Sequence, residues 1–147
     1  MKNKGFSTVE LIIVIAIMAV LAGFLAPKLI KYVNKSRLSA DIDTGNAIAK
    51  AIMIAVADEN VKDNAVDHAA PWEVDKMDGN DFKKAVYEVL SVEKVEGKSK
   101  KDVDGNALTT PVFYYKLDVV KNKIEVYYGG TADDYQIYPR VGSKLIK

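Results

Sequence analysis

The sequence predicts an α+β chain. One long N-terminal helix, a membrane-spanning half followed by an amphipathic half, packs against a C-terminal antiparallel sheet of three or four strands, and a short second helix lies between them. Three observations predict it. An almost wholly apolar run fills Phe6–Ala26, a one-sided helical stripe carries on to about residue 58, and beyond Pro111 the apolar period falls to two.

The apolar run, as a helix, is about 32 Å long, which matches a bilayer core of about 30 Å. Two other readings are a cleaved secretory signal, with Val20-Leu21-Ala22 before Gly23 as the cut, and a buried core helix. The run is long for a signal, and the remaining chain has little interior in which to enclose such a rod. A transmembrane helix is therefore expected. Glu10 is the residue that does not fit, because an ionisable group well inside a bilayer costs about 2.5–3.5 kcal/mol and is usually paired. The bland reading is that it snorkels to the interface; the functional one is a partner from another chain.

Past Pro27, Leu38, Ile42, Gly45, Ala49, Ile52 and Val56 recur at spacings of three and four. From Ala47 to Ala57 nearly every residue is apolar, so this end should be covered on several sides, with the sheet laid over it. Gly45 costs about 1 kcal/mol against alanine in a helix, and its expected use is close approach of a neighbour. Residues 59–79 are polar and punctuated by Pro71 and Asp78-Gly79, and read as a connecting loop with Trp72 as a packing anchor. Asn80 or Asp78 is the expected cap of a second helix carrying Phe82, Ala85, Val86, Val89 and Leu90 on one face and ending near Ser91. A polar loop follows to Pro111. Phe113 to Val119 and Ile124 to Tyr128 alternate as a hairpin, and Tyr135–Tyr138 makes a third strand ended by Pro139. The tyrosines here read as half-buried sheet residues.

Composition narrows the function. The 147 residues contain no cysteine and one histidine, His68, so metal sites built on cysteine and histidine and a Cys-His nucleophile pair are excluded by count. His68 reads as an ordinary loop residue. Asp102, Asp104 and Asn106 hint at a calcium loop, but glycine falls fourth and Phe113 takes the twelfth place. Asp133-Asp134 reads as a solvated pair. No catalytic, cofactor-binding or metal residue is expected, and enzyme is the least supported class. Outside Lys2, Lys4 and Glu10 the chain carries 19 Lys/Arg and 19 Asp/Glu, which argues against a nucleic-acid partner. The local excess is Lys28, Lys31, Lys35 and Arg37, placed where a membrane surface would be.

The run Gly5-Phe6-Ser7-Thr8-Val9-Glu10-Leu11, behind a leader with Lys2 and Lys4 and ahead of a long apolar stretch, closely resembles the N-terminus of type IV prepilins and of the pseudopilins of type II secretion and competence systems. The resemblance covers about residues 1–60; beyond that only the architecture is similar. It implies a pilin-like fold and the division 1–5 cleaved leader, 6–27 transmembrane and filament-core helix, 28–60 amphipathic half and 61–147 α+β head. It implies cleavage by a prepilin peptidase between Gly5 and Phe6, N-methylation of Phe6, pairing of Glu10 with the Phe6 amine of a neighbouring subunit, and a helix kink at Pro27. The partners implied are other copies of the chain in a helical homopolymer, the membrane, the prepilin peptidase, and the pilus assembly platform with its ATPase. The place implied is the plasma membrane, N-terminus cytoplasmic, and then a surface filament for adhesion or twitching motility. Charge counting alone leans the other way on orientation. Thr8 stands where leucine is frequent, and no disulfide can close the C-terminal loop. The alternatives are a pseudopilin and a membrane-anchored or secreted binding module that never polymerises.

Overall fold

The computed structural model describes residues 5–146. The expected leader therefore lies, apart from Gly5, outside the described residues. The architecture is α+β, with one long N-terminal helix, a four-stranded antiparallel sheet and short helices between them. α1 runs Thr8–Ala57 and continues through Pro27. The chain divides into two units between Val33 and Asn34.

In the second unit, α1 buries Leu38, Asp41, Gly45, Ile48, Ala49, Ala51, Ile52, Ala55 and Val56. The expected stripe is there, except that Ile42 is only half-buried. The apolar end is not wrapped on several sides: Ala47 and Lys50 are exposed, and Ile54 is 54% exposed. A single sheet can cover only one broad arc of a helix. Gly45 is used as expected, since a Cβ there would stand 2.4 Å from Ile137 Cδ1.

The segment expected to be a loop over 59–79 holds most of what differs. It contains a single turn, α2 (Glu59–Lys62), then strand β1 (His68–Glu73) and a 3-10 turn at Val74–Lys76. β1 has the sequence His-Ala-Ala-Pro-Trp-Glu, with no alternation and a proline inside. It is an edge strand, in the order β1-β2-β3-β4, and an edge tolerates a residue that cannot donate to a ladder. Trp72 lies on this strand, 40% exposed, its indole N–H donating to Lys76 O at 2.7 Å.

α3 spans Asn80–Leu90. Its N-cap is Gly79, at φ 78°, with no side-chain cap bond, rather than Asp78 or Asn80. β2 (Phe113–Asp118) and β3 (Lys123–Tyr128) pair in continuous register from Phe113↔Tyr128 to Asp118↔Lys123. β4 (Gln136–Tyr138) pairs with β3 and is one residue shorter than expected. Phe113, Tyr115 and Leu117 of β2 and Ile124, Val126 and Tyr128 of β3 join the α1 residues in one core. Tyr115, Tyr127 and Tyr128 are fully buried, not half-buried.

Without a disulfide, the C-terminal stretch is held by backbone bonds together with packing of Ile137, Tyr135, Tyr138 and Val141 against the core. Val103 N–H donates to Lys144 O at 2.9 Å, Gly142 N–H to Gln136 O at 2.8 Å and Lys144 N–H to Asp134 O at 3.0 Å. Leu145 seats in the core.

Candidate functional site

The first site residues lie at the start of α1. Ser7 takes the N-cap place: its hydroxyl accepts the Val9 N–H at 3.3 Å, and its own N–H donates to Glu10 Oε2 at 2.8 Å. Ser-x-x-Glu with this reciprocal bonding is a capping box, which satisfies helix N–H groups that have no partner within the helix. Glu10 thus has a role within its own chain beyond the expected inter-chain one, and its signature is legible in Ser7-Thr8-Val9-Glu10. An acid in the first turn also suits the helix dipole.

Gly5 and Phe6 precede the helix and are exposed, and Pro27 lies far along it. The structure brings Glu10 to Ser7 and leaves Gly5, Phe6 and Pro27 as separate positions. Between Phe6 and Val33 the large apolar side chains are exposed, among them Phe6, Ile12, Ile17, Phe24 and Tyr32. The most apolar 18-residue window of α1 has a mean hydropathy of 2.8 and is 0% buried. By length and composition this helix can span a membrane.

In the second unit a buried carboxylate organises the loop before β2. Asp41 projects from α1 into the interior, where Oδ1 accepts the Lys98 N–H at 2.7 Å and Oδ2 the Ser99 N–H at 2.7 Å. The Tyr128 hydroxyl lies against the same carboxylate and donates to Ser99 O. Gly97 makes room for it, because a Cβ there would fall 2.1 Å from the phenol oxygen. Two helical turns back, Asn34 Nδ2 donates to Asp102 O at 3.0 Å. Burial pushes the Asp41 carboxyl above its ordinary range, only partly offset by the two N–H bonds and the Tyr128 hydroxyl. Asp41 is a polar residue three past Leu38 and four before Gly45 on the buried stripe. That misfit was the available signal for it.

Asp102 and Asn106 form a turn. Asp102 accepts the Asp104 N–H at 3.0 Å, the Asn106 N–H at 2.8 Å and the Asn106 side-chain amide at 3.1 Å, with Lys144 Nζ at 3.9 Å. Burial pushes its carboxyl up, but these donors and Lys144 together hold it below the usual range. The carboxylate that opens the suspected calcium loop is thus engaged by backbone and lysine. Asp134 is likewise engaged, accepting the Ser143 hydroxyl at 2.8 Å.

His68 is not in a loop but on β1, stacked on Trp72 with its Nε2 buried. A depression of about 390 Å³ beside it is lined by Lys116, Asp118, Lys121, Lys123 and Glu125. Its charges are mutually paired, Lys116 and Lys123 with Glu125 at 3.4 and 2.9 Å and Lys121 with Asp118 at 3.0 Å. No known protein family, curated protein or solved structure matches the chain.

Proposed function

We propose that this chain is the structural subunit of a type IV pilus, processed by a prepilin peptidase and polymerised into a surface filament for adhesion or motility. The observation that carries the reading is the free apolar surface of Phe6–Val33, introduced by Gly5-Phe6-Ser7-Thr8-Val9-Glu10-Leu11. A surface of that size and character requires either lipid or copies of itself to cover it. In this account it has both in turn, lipid while the subunit waits in the plasma membrane and neighbouring helices in the filament. Head-to-tail contacts between copies leave the polymer open-ended.

Cleavage between Gly5 and Phe6 would create an amine on Phe6, to be methylated there, and Glu10 of a neighbouring copy would pair with it. An ion pair in that apolar environment is far stronger than in water. Pro27 would mark where the shared core gives way to the head. The capping bond from Ser7 to Glu10 favours a second reading, in which Glu10 serves only its own helix. A pseudopilin remains the alternative use of the same segment.

The test is the mass of the mature N-terminus, isolated from cells together with sheared surface filaments. A chain beginning at N-methylated Phe6 and recovered in filaments is the expected result. A mature chain beginning at Gly23 would mark a secreted protein and contradict the proposal.

A further inference from the structure

His68, the single histidine, faces Leu117 across the β1–β2 ladder. Its ring stacks on Trp72 with centroids 5.0 Å apart and 11° between planes, and meets Tyr115 edge-on at 5.3 Å. The side chain is 11% exposed, yet Nε2 has no hydrogen-bond partner among the described residues. Asp78 Oδ2 stands 3.8 Å away, too far for a hydrogen bond, on a side chain that is 53% exposed.

We propose that His68 and Asp78 form a proton-operated clasp between β1 and the turn that leads into α3. In the neutral ring Nε2 is either a donor without an acceptor or an acceptor without a donor. A second proton, taken from solvent, makes both ring nitrogens donors and gives the ring a charge. Asp78 then needs to close by roughly 1 Å to reach the length of a charge-assisted bond. It can do so, being half in solvent and next to Gly79, whose φ of 78° sets the turn. The stacked Trp72 face also favours a cation. Imidazole is the side chain that ordinarily takes up a proton between pH 5 and 8.

The other groups facing this region leave Asp78 to answer the charge. From β2 comes the uncharged Tyr115, whose phenol burial and the nearby Asp78 push up. The ionic side chains of β2 and β3 beside His68 are spent on one another in the Lys116–Glu125, Lys123–Glu125 and Lys121–Asp118 pairs. Asp67 accepts the Val119 N–H at 2.6 Å. Acidification therefore tightens the edge of the sheet onto the start of α3.

The experiment compares the full chain, Asp78→Asn, His68→Phe and the double variant in detergent micelles at about pH 8 and about pH 5.5. Head unfolding is followed by the emission of Trp72, the only tryptophan. Other titrating groups are common to all four chains and cancel in the differences. The Tm lost on Asp78→Asn should be larger at the lower pH, and that extra loss should vanish when His68→Phe is already present. Emission of the folded chain should fall on acidification, because a protonated imidazole quenches an indole stacked on it. An equal loss at both pH values, the same extra loss without His68, or emission that does not change overturns the proposal.

Discussion

The Asp41 carboxylate accepts the Ser99 N–H at 2.7 Å across 58 residues of chain. With the matching bond from Lys98 it fastens the loop before β2 to the middle of α1, in a chain that has no cysteine to do so. A carboxylate buried against two N–H donors binds both at once. An asparagine amide accepts only one and turns a donor towards the other.

Asp41→Asn is accordingly expected to destabilise the head by about 1–3 kcal/mol at neutral pH, the cost of one buried donor left unmade. It should also change the pH dependence. The folded-state value of Asp41 is raised, so its contribution is full below the ordinary carboxylate value of 3.8 and is lost as pH rises through the folded value. Asp102 has the opposite sign. Its value is lowered, so its contribution is present above 3.8 and is lost as pH falls through the folded value. Denaturation midpoints between about pH 7 and about pH 2 check this. Asp41→Asn should remove a gain in stability on acidification, and Asp102→Asn should remove a loss.

Gly45→Ala pits helix propensity against packing. Alanine is better by about 1 kcal/mol in a helix. Its Cβ, however, would stand 2.4 Å from Ile137 Cδ1, 2.9 Å from Cγ2 and 3.2 Å from Cβ, and Ile137 is 1% exposed. The inner atoms cannot move aside, so packing should win, with a net loss of about 1–2 kcal/mol. In a double-mutant cycle with Ile137→Ala, the pair should cost less than the sum of the two single changes.

Ser91→Gly should stabilise. Ser91 closes α3 at φ 54° and ψ 37°, a left-handed conformation that penalises a Cβ, while its N–H serves Glu88 O and Tyr87 O. Glycine keeps both backbone bonds and removes the penalty, for an expected gain of about 0.5–1 kcal/mol in chemical denaturation.

Where the sequence announced structure, it did so through pattern: the 3-4 spacing from Leu38 to Val56, the alternation of Phe113–Tyr128, and Gly45 as a point of contact. Where it was silent, the structure depends on pairing at a distance. β1 carries Pro71 and no alternation, and is a strand only because β2 offers it an edge. Asp41 could not be understood before Lys98 and Ser99 were known to lie beside it. His68 became more than a loop residue once Trp72 and Asp78 were placed around it. The capping box was different, because Ser7 and Glu10 are local and their signature was readable. The conspicuous charge drew attention to a partner in another chain and away from one three residues back.

That contact also gives the sharpest test of the central claim, that the Glu10 charge serves filament assembly. Glu10→Gln keeps a side-chain oxygen that can accept the Ser7 N–H and preserve the box, but removes the anion. Filament yield from cells carrying this variant, measured by electron microscopy of sheared surface material alongside the amount of processed subunit in the membrane, separates the two roles. Normal insertion and cleavage with few or no filaments are expected. Filaments at the level of the unaltered chain would contradict the claim and leave Glu10 as a helix cap.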